Sequence, residues 1–188
     1  TTLTRSARAM LAGAAAGALG VVGAWALPPA AHAQAQPSLA QGPASVADLA
    51  EGLLDAGVLP VIKHLPGHGR ARVDSHFALP RIDAPPELLE ATDFEPFRRL
   101  ADLPCGMTGH LLLTAFDTRA PATLSPAIVA EVIRGRIGFD GLLFTDDLCM
   151  GALEGGVADR AMRALAAGCD VALHCDGDFA DMRAIAET

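Results

Sequence analysis

Short apolar runs alternate with amphipathic stretches four times along this chain after residue 45. The apolar runs lie near residues 58–63, 107–113, 141–145 and 170–175. Alternation at this spacing predicts βαβ units that form a parallel sheet with right-handed crossovers. Four such units amount to half of a (β/α)8 barrel. The pattern therefore predicts an α/β fold, either the C-terminal half of a TIM-type barrel or a small open sheet.

The spacing of apolar residues also predicts which side chains of the intervening helices face the core. The expected inward positions are Val46, Leu49, Leu53 and Leu54 in the first helix, Ile128, Val129, Val132 and Ile133 in the helix that starts at Ser125–Pro126, and Met162 and Leu165 in the helix over 159–167. Ser followed by Pro favours a helix start, and Gly138 and Gly168 favour helix ends.

The first 44 residues differ in composition from the rest of the chain. Arg5 and Arg8 precede an uncharged run over 9–27, and Ala31-His32-Ala33 follows. A basic start, an apolar middle and an Ala-x-Ala end are typical of a secretory signal peptide. An Ala-rich artefact of a wrong gene start is the alternative. We expect residues 1–44 to be a signal-like segment and linker, and the folded domain to cover 45–188.

Composition narrows the possible partners. The formal net charge is −8, and phosphate binding needs clustered Lys and Arg, so we expect no nucleic-acid partner. The run over 9–27 is weakly apolar for a membrane span, so no stable span is expected. Cys105, Cys149, Cys169 and Cys175 show no Cys-x-x-Cys spacing, which favours small core side chains over a zinc site or disulfides.

Titratable residues follow two of the apolar runs. The loop over 63–69 combines Lys63, His64 and His68 with Pro and Gly, and Asp146 and Asp147 come directly after Leu142–Phe144. Parallel α/β folds place their chemistry at the carboxyl ends of the strands. An Asp in this position is also a common helix N-cap, so the local pattern leaves both interpretations open.

Three stretches, in order and spacing, resemble one enzyme family. They are Lys63-His64-Leu65-Pro66-Gly67-His68-Gly69 with Asp74-Ser75-His76, then Met107-Thr108-Gly109-His110, then Gly138-Phe139-Asp140-Gly141 through Thr145-Asp146-Asp147-Leu148-Cys149-Met150. From about residue 46 to its end the chain looks like a bacterial β-N-acetylhexosaminidase of glycoside hydrolase family 3. Within the two expected architectures, the resemblance implies the half barrel.

The resemblance also implies a mechanism. Asp146 matches the nucleophile of a retaining glycosidase, which forms a covalent glycosyl-enzyme. His76 matches the acid/base, with Asp74 as its partner, and Asp147 matches a supporting neighbour. Lys63, His64 and Met150 match substrate-binding positions. The implied catalysis needs no cofactor and no metal.

The implied substrate is a saccharide with a terminal, non-reducing β-linked N-acetylglucosamine. In Gram-negative bacteria this is a peptidoglycan fragment handled during cell-wall recycling. The family resemblance implies a cytoplasmic location, whereas a functional signal over residues 1–33 would imply a periplasmic or secreted one.

Departures from the family pattern leave alternatives open. Cys149 stands where Ser is usual, and Gly109 where Ala is common. The family's N-terminal half has no counterpart in residues 1–45, so we expect a fragment with weak or no activity alone. A non-catalytic sugar-binding remnant is one alternative, since a half barrel leaves open strand edges. A metal-dependent hydrolase is another, with His64, His68, His76, His110 and Asp146 as ligands.

Overall fold

A parallel β-sheet forms the centre of the structure, a computed structural model that describes residues 45–188. The strands of this region are β1 Val61–Leu65, β2 Arg81–Ile82, β3 Cys105–Thr108, β4 Leu112–Leu113, β5 Leu142–Asp147 and β6 Val171–Leu173. Four of them form one sheet in the order β1-β3-β5-β6, and each neighbouring pair is parallel. The predicted parallel α/β architecture is therefore confirmed.

Two strand predictions need correction. The run over 107–113 is not one strand, because the chain leaves the sheet after Thr108. It then forms β4, which pairs in parallel with β2. The first strand begins at Val61 rather than near residue 58, and it includes Lys63 and His64, which the sequence had placed in a loop. An apolar run shows that a segment is buried but does not show where its backbone changes partner.

The helices occupy the connections between strands. They are α1 Val46–Asp55, α2 Pro86–Leu88, α3 Glu95–Arg98, α4 Val157–Ala167 and α5 Phe179–Ala186, with π-helical stretches over Leu89–Asp93 and Ile128–Ile137 and a 3-10 turn over Ala122–Leu124. Ser45 and Asp48 form a capping box at α1. The Ser125 hydroxyl accepts a hydrogen bond from the Ile128 amide, which confirms the predicted cap. Gly138 and Gly168 end their helices with φ of 81° and 112°.

The core faces of the helices agree only in part with the predicted ones. Ile128, Val129, Val132 and Ile133 are buried as predicted. In α4 the prediction was wrong, because Met162 and Leu165 are exposed while Ala161, Ala164 and Ala167 are buried. Small side chains let this helix approach the sheet closely, so its larger apolar residues lie outside.

Helix α1 also differs from the prediction. Ala50 is its buried residue, whereas Val46, Leu49 and Leu54 are exposed. Together with Phe97 and Leu100, residues of α1 line an open apolar groove beside β1. Within residues 45–188, nothing covers the outer side of this groove.

A partly buried ion pair fixes the start of β5. Arg134 donates hydrogen bonds to the carbonyl oxygens of Phe139 (2.9 Å) and Gly141 (2.8 Å) and to Asp170 Oδ2 (2.9 Å). The same oxygen of Asp170 accepts the Leu143 amide at 3.0 Å. The arginine lies 5.6 Å from the centre of the Phe139 ring. The amino end of β5 is therefore tied both to the preceding helix and to β6.

The signal-like segment and the linker predicted over 1–44 lie outside the described residues. Across 45–188, no helix combines the length and apolar character needed to cross a bilayer.

Replacing Gly141 by Ala is expected to destabilise the fold. A Cβ there would lie 2.7 Å from the carbonyl oxygens of both Leu103 and Pro104, which are backbone atoms that cannot rotate away. We expect the free energy of unfolding, measured by urea denaturation, to fall by about 1–3 kcal/mol. Gly52→Ala is the matched control, because no atom lies within 4 Å of its Cβ position in α1. The control should gain roughly 0.5–1 kcal/mol. Equal stability of the two variants would contradict this account of β5.

Candidate active site

The carboxyl ends of the four paired strands bring chemically active side chains to one edge of the sheet. His64 lies in β1 and Asp146 in β5, while His110 follows β3 and His174 follows β6. Adjacent parallel strands point the same way, so their ends lie side by side. These groups come from distant parts of the sequence and meet because of the sheet topology.

Asp146 lies at this edge with its carboxylate partly open to solvent. Its side chain is 15% exposed. Oδ1 accepts a hydrogen bond from the Asp147 amide at 2.9 Å, and Oδ2 lies 3.5 Å from Nε2 of His64. The carboxylate is thus oriented by its neighbours and still accessible to a small molecule.

His64 is a neutral neighbour for this carboxylate at neutral pH. Burial lowers the pKa of His64, and the nearby charge of Lys63 lowers it further, while Asp146 acts in the opposite direction. The His64 ring also lies against His68, with 5.6 Å between ring centres. Lys63 is exposed. Of the residues expected to bind substrate, half-buried His64 therefore lies beside Asp146, whereas exposed Lys63 lines the apolar groove beside α1.

His76 and Asp74 form a pair on an exposed loop. The Nδ1 atom of His76 lies 2.7 Å from Oδ1 of Asp74, and the same oxygen accepts the His76 amide at 2.9 Å. The hydrogen bond to Asp74 and its negative charge raise the pKa of His76, and Asp146 and Asp147 contribute in the same direction. The hydrogen bonds from His76 lower the pKa of Asp74. This carboxylate therefore favours the protonated imidazole.

Backbone hydrogen bonds dock the His76 loop onto the segment that follows Asp146. The Gly151 amide donates to the His76 carbonyl at 2.9 Å, and the Ala152 amide donates to the Ser75 carbonyl at 3.2 Å. The Ser75 hydroxyl lies 3.3 Å from Nε2 of His68. These contacts join the 63–69 loop, the His76 loop and the segment after β5, so the first and third predicted motifs lie together.

His110 is a positioning residue, a role that neither the Met107–His110 motif nor the metal-ligand alternative predicts. It is fully buried, and burial lowers its pKa, so the ring is neutral at neutral pH. Nε2 lies 2.9 Å from the Asp147 carbonyl, which only accepts, so Nε2 carries the proton. Nδ1 then accepts from the Thr123 hydroxyl at 2.8 Å, and Thr108 donates to Thr123 at 2.8 Å.

Further contacts hold the segment after β5. Oδ1 of Asp147 accepts the amides of Cys149 (3.0 Å) and Cys175 (3.1 Å), which joins the ends of β5 and β6. Arg160 donates to the Leu148 carbonyl at 2.6 Å. Met150, which the resemblance assigns to substrate binding, is buried.

The histidines of the metal-hydrolase alternative do not converge on a common point. Both ring nitrogens of His110 are hydrogen-bonded, and His68 lies against Ser75. Among residues 45–188, the set of three or more potential ligand residues whose ligand atoms all lie within 4.8 Å of one another is Cys149, His174 and Asp176. None of these three belongs to the expected set.

All four cysteines are free thiols. Cys175 is exposed, so the prediction that it is a small core side chain was wrong.

Comparison with known proteins agrees with the motif resemblance. The family model "Glycosyl hydrolase family 3 N terminal domain" matches residues 35–188. A β-hexosaminidase of Alkalilimnicola ehrlichii is 46% identical over 129 residues, which are 66% of this chain and 37% of the relative. The chain therefore spans less than half the length of this curated relative.

Solved structures share the fold. A glycoside hydrolase family 3 β-N-acetylglucosaminidase from Paenibacillus sp. superposes with a TM-score of 0.70 at 34% identity, covering 74% of this chain and 27% of the other. NagZ from Neisseria gonorrhoeae, in complex with N-trifluoroacetyl-D-glucosamine, gives a TM-score of 0.66 at 34% identity, covering 75% and 40%.

Removing the Asp74 carboxylate is expected to lower the pKa of His76. Asp74→Asn abolishes the charge that stabilises the imidazolium, so the pKa falls toward the ordinary value of about 6.5. NMR titration of the His76 ring measures the change. Asp83→Asn, at an exposed carboxylate paired with Arg81, should leave this titration unchanged. If His76 titrates alike in wild type and Asp74→Asn, the pair does not control its charge.

Gly151→Ala is expected to loosen the docking of the His76 loop. A Cβ at this position would lie 2.9 Å from the His76 carbonyl oxygen and 3.0 Å from that of Phe77. Amide hydrogen exchange at Ala152 should accelerate about fivefold or more, the equivalent of losing one hydrogen bond of roughly 1 kcal/mol. Gly156→Ala, with open space at its Cβ position, serves as the control. Unchanged protection at Ala152 in both variants would refute the coupling.

Proposed function

Because the chain belongs to glycosyl hydrolase family 3, we propose that it cleaves terminal, non-reducing β-linked N-acetylglucosamine from saccharides with retention of configuration. The observation that supports this proposal most strongly is the docking of the His76–Asp74 loop onto the segment after Asp146. This arrangement holds a carboxylate and a proton donor within one site. The two groups have the complementary roles that retaining glycosidases require.

Asp146 acts as the nucleophile in this proposal. Its oxygen attacks the anomeric carbon, the bond from that carbon to the glycosidic oxygen breaks, and a glycosyl ester forms on Asp146. The fixed orientation of the carboxylate favours this attack, since one oxygen is held by the Asp147 amide and the other faces His64.

His76 carries the proton in both steps. It first gives a proton to the departing glycosidic oxygen and then takes one from the water that hydrolyses the glycosyl ester. Asp74 keeps the imidazole protonated to a higher pH before the first step. The expected alkaline limit of activity should therefore move to lower pH in Asp74→Asn, because the acid loses its proton sooner.

In this proposal, residues at the same edge of the sheet bind the substrate. Lys63 and His64 donate hydrogen bonds to sugar hydroxyls in this proposal, which is supported by their adjacent positions in β1 and by the 3.5 Å between Nε2 of His64 and Oδ2 of Asp146. Met150, being buried, contributes to the floor of the site through packing. We assign the leaving group to a muramic-acid-containing peptidoglycan fragment, which the motif resemblance favours.

A second candidate function is the binding of N-acetylglucosamine without hydrolysis. The observation that favours it is the pair of Asp146 and His64 at the edge of the sheet, since these groups can hydrogen-bond sugar hydroxyls without any bond being cleaved.

Hydrolysis of a chromogenic β-N-acetylglucosaminide by the purified chain tests the proposal. We expect Asp146→Asn to lower kcat by about 10⁴-fold or more, since the variant cannot form the ester. Asp140→Asn is the matched control, because this exposed carboxylate lies just before the opposite end of β5. A 5-fluoro glycosyl fluoride of N-acetylglucosamine should trap a glycosyl group on the peptide that contains Asp146, as read by mass spectrometry.

Three results would count against the proposal. They are full activity of Asp146→Asn, a label on another carboxylate, and a folded wild-type chain that binds N-acetylglucosamine without turnover. The last result would favour the binding function. Replacing the chromogenic group by anhydro-N-acetylmuramic acid or by a second N-acetylglucosamine tests the leaving group, and a higher kcat/KM is expected for the muramic acid derivative.

A further inference from the structure

A second cluster of ligand-type side chains lies where the ends of β5 and β6 meet. Cys149 comes two residues after β5, and His174 and Asp176 follow β6. One sulfur, one ring nitrogen and one carboxylate oxygen from these residues all lie within 4.8 Å of one another. The residues proposed for glycoside cleavage contribute none of these atoms.

The His174 imidazole is buried without a hydrogen-bond partner. Its side chain is 7% exposed, and within residues 45–188 neither ring nitrogen makes a hydrogen bond. Nε2 does lie 2.9 Å from Oδ1 of Asp176, but this contact lacks hydrogen-bond geometry. An imidazole taken out of water without partners costs free energy. A buried imidazole beside a thiol and a carboxylate indicates that a ligand completes the cluster.

We propose that Cys149, His174 and Asp176 bind a Zn²⁺ ion. Sulfur, imidazole nitrogen and carboxylate oxygen together form a ligand set that zinc accepts in proteins. Zinc bond lengths place ligand atoms about 3.3–3.8 Å apart in a tetrahedral site, so a small contraction of the cluster is required. Asp176 is exposed and can supply this movement.

Asp181 is suited to the fourth position. It lies in α5, and its Oδ2 is 3.8 Å from Nε2 of His174. A water molecule can fill this position equally well, as it does in open zinc sites.

The Cys149 thiol is protonated before the metal binds. Burial, together with the charge of Asp147, raises the pKa of Cys149 to about 12. A bound cation stabilises the thiolate, so the ion replaces the proton, which passes to solvent. No oxidant or other reactant is needed.

A zinc ion at this point would join two segments already linked by Asp147. The Asp147 carboxylate accepts the amides of Cys149 and Cys175, one after each strand. The metal would strengthen this link three residues after Asp146. The site is therefore structural in character and adjacent to, but separate from, the proposed catalytic carboxylate.

Titration of the purified chain with Co²⁺ alone tests the site, since cobalt takes zinc-type ligands and absorbs light. We expect one ion per chain, a thiolate-to-cobalt charge-transfer band in the near ultraviolet, and loss of the band when Zn²⁺ is added. Cys149→Ser should abolish the band. Cys175→Ser, at a nearby exposed cysteine, should retain it. His174→Gln should weaken Co²⁺ binding by at least about 100-fold, because losing a hydrogen-bond partner of a metal ligand already costs up to about 100-fold and this variant loses the ligand itself.

Asp176→Asn keeps the test decisive if a buried variant does not fold. This exposed substitution should weaken Co²⁺ binding and leave the charge-transfer band in place at saturation. Absence of the band in folded wild type overturns the proposal, as does its persistence in Cys149→Ser. Binding that is lost in His76→Ala and retained in His174→Gln would place the ion at the candidate active site, which also overturns it.

Discussion

The register of β5 against β6 is the constraint on which both candidate sites depend. Asp170 fixes it, because its carboxylate accepts the Leu143 amide and pairs with Arg134, while its own amide donates to the Leu143 carbonyl at 2.8 Å. A slip of one residue in a strand moves every side chain to the opposite face. A slip of β5 would turn Asp146 away from His64, and it would separate Cys149 from His174. One buried carboxylate at the base of the strands therefore decides the geometry at their far ends.

The candidate active site divides its tasks between a buried and an exposed part. The backbone that follows Asp146 is held by His110, which donates to the Asp147 carbonyl, and by Arg160, which donates to the Leu148 carbonyl, while Thr123 holds the His110 ring. The His76 side chain is 69% exposed and held by Asp74 and two backbone hydrogen bonds. A nucleophile gains from fixed orientation, whereas a group that exchanges protons with solvent gains from access to water. The oriented carboxylate of Asp146 and the exposed imidazole of His76 meet these two requirements of the proposed chemistry.

The sequence predicted the parallel strands because their apolar runs are short and separated by helical spacing. It could not predict the break after Thr108, since Leu111 to Leu113 remain apolar and local periodicity does not identify the partner strand. It also misplaced Met162 and Leu165, because size alone does not show which helix face approaches the sheet. Residues of the motifs were found by resemblance, and their roles stay predictions. His110 as a support and the Cys149–His174–Asp176 cluster gave no local signal, because these contacts arise from strand order.

Three hydrogen bonds link Thr108 through Thr123 and His110 to the Asp147 carbonyl, and each of them has a donor and an acceptor side. While His110 is neutral, Thr108 donates to Thr123, Thr123 donates to His110, and His110 donates to the carbonyl. The dipoles of the two hydroxyl groups and the imidazole therefore point the same way. Protonation of His110 would put a hydrogen on Nδ1. The Thr123 hydroxyl oxygen would then accept a hydrogen bond from Nδ1, and the hydroxyl would donate to the Gly109 carbonyl, 3.3 Å away. The interior beneath Asp146 thus has two polar arrangements that differ by one proton. A single protonation deep in the protein would therefore turn the Thr123 hydroxyl and add a positive charge beneath the strand end, while Nε2 continues to donate to the Asp147 carbonyl.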